Sequence, residues 1–289
     1  MTKTFVISKC KYKVISNYML ADLKKNGTVF LYEEIPFLKI KRNKKRLLNR
    51  IVNEQSEDKV VFILNESLLG LNVEDLIYLK GHGTRLILLL IDPIDAPYDS
   101  AEIAKDMIDR FQFDEILTFD SDDAEKYGFK YTNCLYSKIG SIRFDCKQCY
   151  DLFYTGNLKG RQNFIENIQN LASENNTKLK LMVLGYNMRH YLPYAVMLRL
   201  LNKTNCILDI TQDNQSGITL RYYEAVVYNK KLLTNNCNIK NLHFYDERFM
   251  HIYNDVDDID WGWVMEKEKI DYKYNNEFSP ICLLETVRR

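Results

Sequence analysis

The chain has 289 residues, 46% of them hydrophobic and 27% charged, a composition typical of folded proteins with substantial cores. Its formal net charge is +1, so no overall charge draws it to nucleic acid or to a membrane. The first residues resemble a strand and not a signal peptide, and the longest apolar stretch, at 86–91, is far shorter than the roughly 20 residues of a membrane span. Seven cysteines, mostly in apolar surroundings, indicate reduced thiols and a cytoplasmic protein.

Short apolar runs in the first half predict buried strands with helices between them. The strands are predicted at Thr4–Ser8, Thr28–Tyr32, Lys59–Leu64, Arg85–Ile91 and Glu115–Phe119, and the helices at Lys39–Asn53, Asn72–Lys80 and Ala101–Arg110. Because these strands are apolar almost continuously, they are expected to be buried on both faces, as in a parallel sheet covered by helices.

The second half repeats this alternation after Ser137–Tyr150, a stretch without clear periodicity where we place the domain boundary. Strands are predicted at Asp151–Thr155, Leu179–Leu184 and Arg248–Tyr253, and helices at Gln162–Asn175, Tyr194–Leu201 and, closing the chain, Ser279–Arg288. The predicted organisation is one domain over 1–140, a second over 150–262, and a tail over 263–289 that packs back on the domains. The fold class is therefore α/β, with two Rossmann-like domains facing a cleft.

The segment from Cys206 to Asn236 is the best candidate for a functional site. Its pattern predicts a buried strand, a polar loop, a helix and a second buried strand. A helix N-terminus presents unpaired N–H groups and about half a positive charge, so it suits a phosphate. Ser216 or Thr219 can cap this helix, and Gly217 lets the backbone approach a ligand. The alternative is an ordinary loop glycine.

Arg221 and Glu224 stand three residues apart on one face of the same helix. In the functional interpretation, Arg221 neutralises a diphosphate and Glu224 accepts hydrogen bonds from a ribose. The alternative is a surface ion pair that contributes little energy.

A second loop follows the predicted strand at Asp151–Thr155 and contains Gly156, Asn157 and Arg161. Open α/β sheets bind ligands at the carboxyl ends of their strands, where this loop is expected. It has the spacing of neither G-x-G-x-x-G nor the P-loop, so the pattern alone is weak.

Two carboxylates follow strands of the first domain and are candidate proton acceptors. Asp92 ends the Arg85–Ile91 strand, and Glu66 lies two residues past the Lys59–Leu64 strand. The alternative is that Asp92 caps or turns into the next helix. No metal site is expected, because Cys146 and Cys149 form a lone C-x-x-C without a second pair or a nearby histidine.

The predicted helix at Lys39–Asn53 begins with a run of basic residues that no acidic side chain interrupts. Its charged positions include Lys41, Arg42, Lys44, Lys45 and Arg46. Such a helix suits anionic lipid head groups, with about 1 kcal/mol for each basic residue near the surface. The alternative is a solvated helix face.

The chain resembles the GT-B-like glycosyltransferases of bacterial capsule, exopolysaccharide and lipopolysaccharide clusters, relatives of the CgeB-type group. The resemblance rests on Asp120–Tyr131, Asp151–Gly156, Ile207–Ile210 and Asn214–Ala225, the last continuing into Lys230–Asn235, with weaker matches at Glu66 and Ile91–Ile94. It implies an enzyme that moves a sugar from a nucleotide-sugar to a saccharide or lipid-linked acceptor. The cysteines and the basic helix predict a cytoplasmic location with peripheral contact at the inner face of the membrane.

The resemblance also implies site residues. Gly217, Thr219, Arg221 and Glu224 would line the donor site, with Gly156 and Asn157 opposite, and neither a metal nor a cofactor besides the nucleotide-sugar would be needed. The retaining pattern of such enzymes pairs two glutamates eight positions apart. Here Glu224 matches the second, but Ser216 stands at the first, so no stereochemical outcome is assigned. The alternative function is a non-catalytic nucleotide-binding or scaffold protein with a degenerate GT-B fold.

Overall fold

The computed structural model describes residues 2–9, 15–33, 40–64, 71–94, 101–133, 135–140, 148–211 and 217–287. The chain forms two compact units. Unit 1 comprises Met1–Lys138 with Glu277–Arg289, and unit 2 comprises Ile139–Asn276. The C-terminal tail is therefore shared, because residues 263–276 belong to unit 2 and the remainder belongs to unit 1.

Unit 1 contains six strands and six α-helices among its described residues. The strands are β1 (Lys3–Lys9), β2 (Val29–Glu33), β3 (Lys59–Leu64), β4 (Thr84–Leu90), β5 (Glu115–Thr118) and β6 (Lys130–Tyr131); the helices are α1 (Ala21–Lys25), α2 (Ile40–Val52), α3 (Val73–Gly81), α4 (Ala101–Phe111), α5 (Ser121–Tyr127) and, from the C-terminal segment, α10 (Ile281–Val287). All strand pairs are parallel, in the order β2-β1-β3-β4-β5-β6.

The sheet of unit 1 is buried on both faces. Side chains such as Val61 and Leu88 form one core with α2, α3 and α4. Their neighbours Phe62 and Leu89 point to the opposite face and form a second core with α1 and α10. This two-sided burial explains why the strands are apolar almost without alternation.

Unit 2 repeats the plan with five parallel strands. Its elements are β7 (Tyr150–Asn157), α6 (Gln162–Glu174), β8 (Leu179–Leu184), α7 (Tyr194–Asn202), β9 (Thr204–Asp209), α8 (Leu220–Val227), β10 (Lys231–Thr234), β11 (Met250–Ile252) and α9 (Trp261–Met265). The strand order is β8-β7-β9-β10-β11. In both units the first strand lies between the second and the third, as in flavodoxin-like doubly wound folds.

A fully buried lysine holds the segment around α9 against the sheet of unit 2. The Lys231 ammonium donates to the carbonyls of Trp263 at 3.0 Å and Glu266 at 2.9 Å, and it pairs with the carboxylate of Glu268 at 3.0 Å. The amide of Asn205 donates to the Glu266 carbonyl as well, at 2.8 Å. Several charge-assisted bonds offset the cost of burying the ammonium.

The structure confirms the α/β class and places a strand or helix at nearly every predicted position. The sequence reading missed α5, a helix of seven residues. Asp120 caps it by accepting from the backbone N–H groups of Asp122 and Asp123 at 3.0 Å, and Gly128 ends it in a left-handed conformation with a φ of 71°. Its two terminal signals were present, but the helix is too short to show a clear apolar periodicity.

Candidate functional site

The candidate site lies at the carboxyl edge of the sheet of unit 2, where β7 and β9 are neighbours. The chain leaves β7 for β8 on one side and then returns across β7 to β9 on the other. Connections that diverge in this way open a crevice at the strand ends, which is where doubly wound sheets bind ligands. The carboxyl ends of β9 and β10 are joined by hydrogen bonds. The backbone N–H and the hydroxyl of Thr211, after β9, both donate to the side-chain oxygen of Asn235, after β10, at 2.8 Å.

Helix α8 begins at this edge. Thr219 caps it, because its hydroxyl accepts from the backbone N–H of Arg221 at 3.2 Å. The carbonyl of Gly217 accepts from the side-chain amide of Asn236 at 3.1 Å, which holds the end of the preceding loop. Of the two predicted capping residues, the structure assigns the cap to Thr219, and Ser216 lies outside the described residues.

Arg221 and Glu224 form the ion pair that their spacing indicated, but the pair is internal. The Glu224 side chain is fully buried, and the Arg221 side chain is 18% exposed. The hydroxyl of Tyr194, the first residue of α7, donates to the other Glu224 oxygen at 3.0 Å. The carboxylate thus holds Arg221 with its guanidinium close to the backbone of β7, where Nη2 lies 3.5 Å from the Thr155 carbonyl.

Burial and charge act in opposite directions on this pair. Burial raises the pKa of Glu224 overall, although the Arg221 guanidinium and the Tyr194 hydroxyl lower it. Burial lowers the pKa of Arg221. The neighbouring carboxylate of Glu224 raises it, and the combined charged and hydrogen-bonded neighbours outweigh burial, so the net shift is upward. The arginine therefore stays charged, which is the property that binding an anion requires.

Arg161 comes from the loop after β7 and stands at the N-terminus of α6. One guanidinium nitrogen donates to the Asn157 carbonyl at 3.3 Å. Its Nε is buried and has no hydrogen-bond partner among the described residues. The side chain of Arg161 does not cap α6, so the first turn of this helix presents N–H groups without a side-chain cap from the described residues, beside a cation.

Gly156 makes room for a tyrosine. A Cβ at this position would lie 2.7 Å from the hydroxyl of Tyr154, closer than real Cβ contacts come. The two residues alternate onto the same face of β7, so the ring of Tyr154 lies over the glycine. The structure therefore gives Gly156 a packing reason that does not depend on a ligand.

The hydroxyl of Tyr154 lies at the same end of β7. Tyr154 is 4% exposed, and none of the hydrogen bonds within the described parts of the chain involves its hydroxyl. Burial raises the pKa of Tyr154, while Arg161 and Arg221 both lower it. The hydroxyl therefore lies within electrostatic reach of both guanidinium groups. Within the described ranges, the buried polar atom without a partner at this strand end is Nε of Arg161, and such an atom needs an explanation such as a ligand.

Asp209, the last residue of β9, is, like Tyr154, a site residue that the sequence analysis did not identify. It is 5% exposed, and its carboxylate accepts from the hydroxyl of Thr234 at 2.9 Å. Burial raises its pKa, and hydrogen bonds from Thr234 and Thr219 and the charges of both arginines lower it. The available signal was a lone carboxylate closing an apolar strand, Cys-Ile-Leu-Asp-Ile, at a binding edge.

The remaining predicted site residues belong to unit 1. Asp92 lies exposed just past the carboxyl end of β4, while Glu66 lies outside the described residues, as does Cys146 of unit 2. In α2, Lys45 and Arg46 are exposed, and Lys44 pairs with Asp75 of α3 at 2.7 Å. Lys41 and Arg42 are helical, but their side chains are outside the described set.

No group of three or more potential metal ligands occurs within the described ranges. None of the helices in those ranges is long and apolar enough to cross a bilayer. No protein-family model matches this chain, and no curated protein matches it. The fold and the site define a doubly wound α/β protein with two arginines and two buried carboxylates at the carboxyl edge of the sheet of its second unit.

Proposed function

We propose that unit 2 binds the diphosphate of a nucleotide-sugar and that the protein is a GT-B-type glycosyltransferase of surface polysaccharide biosynthesis. Its acceptor would be a saccharide or a lipid-linked saccharide. The observation that carries the proposal is that two arginines meet at the carboxyl end of β7. The guanidinium of Arg161 lies 3.3 Å from the Asn157 carbonyl and that of Arg221 3.5 Å from the Thr155 carbonyl, and Nε of Arg161 is buried without a partner among the described residues. Two cations, a hydroxyl and the first turn of a helix form a suitable set of groups for a diphosphate.

The same groups would support transfer of the sugar. The costly step is departure of the nucleoside diphosphate, which gains negative charge as the bond to the sugar breaks. Cations that are already held in place stabilise such charge without reorganising, and this preorganisation is usually the largest contribution to catalysis. Glu224 would hold Arg221 in place, and no resident metal would be required for this charge.

The proton of the acceptor hydroxyl needs a base if the reaction inverts the sugar. Our candidates are Asp92, which is exposed at the carboxyl edge of its sheet, and Glu66. A carboxylate within hydrogen-bond reach of the acceptor hydroxyl can act as a general base and accept its proton.

The first experiment measures binding of a panel of nucleoside diphosphates and nucleotide-sugars by thermal shift and calorimetry. Arg221→Gln and Arg161→Gln should each weaken binding about 10- to 100-fold, because a charge-assisted hydrogen bond contributes about 1.5–3 kcal/mol. Arg248→Gln is the matched control, since Arg248 lies in the same unit with its side chain 72% exposed. Equal binding by all three variants would contradict the proposed site.

A second candidate function is a nucleotide-binding scaffold protein without catalysis. It is favoured by Glu224, whose carboxylate is fully buried against Arg221 and Tyr194 and so does not project toward a ligand. Nucleotide-sugar that binds but is neither hydrolysed nor transferred to a polysaccharide acceptor would select this function.

We also propose that α2 of unit 1 contacts anionic lipid. Its apolar residues Leu48 and Ile51 are buried in the core, so the helix cannot insert and would bind through charge alone. Lys45, Arg46 and Arg50 are exposed for this purpose.

The expected result is binding to vesicles that contain anionic lipid and none to neutral vesicles. Replacing Lys45, Arg46 and Arg50 together by Gln should reduce binding about 100-fold at low salt, at about 1 kcal/mol for each charge. Replacing the exposed residues Lys24, Arg110 and Lys130 of the same unit is the control. If both triple variants lose binding equally, net charge rather than α2 is responsible.

A further inference from the structure

The ionisable groups around Asp209 are equal in number of either sign. Arg161 and Arg221 supply two positive charges, and the buried carboxylates of Glu224 and Asp209 supply two negative ones when both are ionised. Glu224 forms an ion pair with Arg221. Asp209 makes no ion pair among the described residues. The register that pairs Phe153 with Ile207 continues to place Asp209 beside Thr155, whose carbonyl lies 3.5 Å from the Arg221 guanidinium, and both arginines lower the pKa of Asp209. It is thus the carboxylate that a bound anion would repel most directly.

We propose that Asp209 controls the affinity of this site for phosphorylated ligands by taking up a proton from solvent when the anion binds. This inference rests only on the part of the proposed function in which the site binds an anion. When it is ionised in the free protein, the carboxylate would offset the charge of the arginines. When a bound anion neutralises the arginines instead, protonation of Asp209 removes a negative charge that no cation would balance.

The physical reason is that two anions cannot both be neutralised by the same cations inside the protein. Asp209 is 5% exposed, so water cannot solvate it as the ligand arrives. A like charge nearby disfavours the ionised form of a buried carboxylate. Proton uptake removes that repulsion, and the ligand keeps both guanidinium groups.

The surroundings of Asp209 allow this change. The groups that face or influence it are Tyr154 of β7, Arg161 before α6, Thr219, Arg221 and Glu224 of the α8 region, Thr234 of β10 and Tyr253 after β11. Neutral hydroxyls predominate, and the hydroxyl of Tyr253 donates to the backbone carbonyl of Asp209 at 3.0 Å, which fixes the strand end in either protonation state.

The sign of the pH dependence follows from linkage. Burial already raises the pKa of Asp209 in the free protein, and a bound anion raises it further. Between these two pKa values the complex holds one more proton than the free protein. Affinity therefore falls as pH rises through that window, by at most about tenfold per pH unit, and becomes constant above it.

The test uses sulfate, which keeps a charge of about −2 across the range and so does not titrate itself. Dissociation constants are measured for the full chain by thermal shift and calorimetry from about pH 5.5 to about pH 8.5, at constant ionic strength. The wild type should bind more weakly as pH rises. Asp209→Asn should show no pH dependence, and at about pH 8 it should bind sulfate roughly tenfold more tightly than the wild type.

Two further variants complete the design. Asp246→Asn changes a carboxylate of the same unit that pairs with the exposed Arg248, so it should keep the wild-type pH dependence. Thr234→Val removes a hydroxyl that stabilises the ionised form of Asp209, so it should move the fall in affinity to higher pH. Thr234→Val keeps the idea testable if Asp209→Asn fails to fold.

The proposal is overturned if wild-type sulfate affinity does not change with pH, if Asp209→Asn keeps the slope, or if sulfate does not bind. The proposed enzymatic function fails differently. If sulfate binding follows the expected pH dependence but no nucleotide-sugar is bound or consumed, the role of Asp209 stands and the glycosyltransferase assignment does not.

Discussion

Replacing Arg221 by methionine is expected to lower the free energy of unfolding of unit 2 by about 3–5 kcal/mol, because it leaves the buried carboxylate of Glu224 without its cation. The Tyr194 hydroxyl alone cannot compensate a full charge at a site with no exposed surface. Restoring neutrality should recover most of the loss, so the double variant with Glu224→Gln should be much more stable than Arg221→Met alone.

The measurement is straightforward because the two tryptophans of the chain, Trp261 and Trp263, both lie in unit 2. Their fluorescence during denaturant unfolding therefore reports on this unit and not on unit 1. Arg248→Met, which breaks the exposed pair with Asp246, should cost less than about 1 kcal/mol. If Glu224→Gln gives no recovery, the loss comes from packing of the arginine stem and not from the unpaired charge.

The second large effect is expected at Lys231. Lys231→Met should destabilise unit 2 by about 3 kcal/mol or more, since it removes the donor that holds two backbone carbonyls and the Glu268 carboxylate. The ammonium also lies 4.9 Å from the centre of the Trp263 ring, so the tryptophan emission of the folded state should change.

Lys240→Met is the matched control for this prediction, because Lys240 is exposed in the same unit and its replacement should stay within about 0.5 kcal/mol of wild type. An unchanged unfolding midpoint for Lys231→Met would show that the segment around α9 is held by its tryptophans alone.

The fold could be predicted from the sequence because its strands are strongly patterned. Burial on both faces gives runs such as 59–64 and 84–90, which differ clearly from the helices that follow them. Short elements such as β6 and α5 were missed because two or seven residues carry too little periodicity. The strand order could not be derived, since it depends on contacts between distant strands.

The site was predictable only where its residues are close in sequence. Thr219, Arg221 and Glu224 lie within one capped helix, so local spacing was enough to indicate both the cap and the ion pair. Tyr154 and Asp209 are site residues because they are buried and because arginines from other parts of the chain shift their pKa values. Such long-range relations are invisible in one sequence, and so was the complete burial of Glu224.

The route of the chain through its two units has a consequence for biosynthesis. Unit 2 is one uninterrupted stretch, whereas unit 1 is completed by a segment from the far end of the chain, including α10. During translation, unit 2 can reach its native state as soon as it has left the ribosome. One core of the amino-terminal sheet must wait until residues 277–289, which follow unit 2, have been synthesised, and this leaves an apolar surface for chaperones to shield in the meantime.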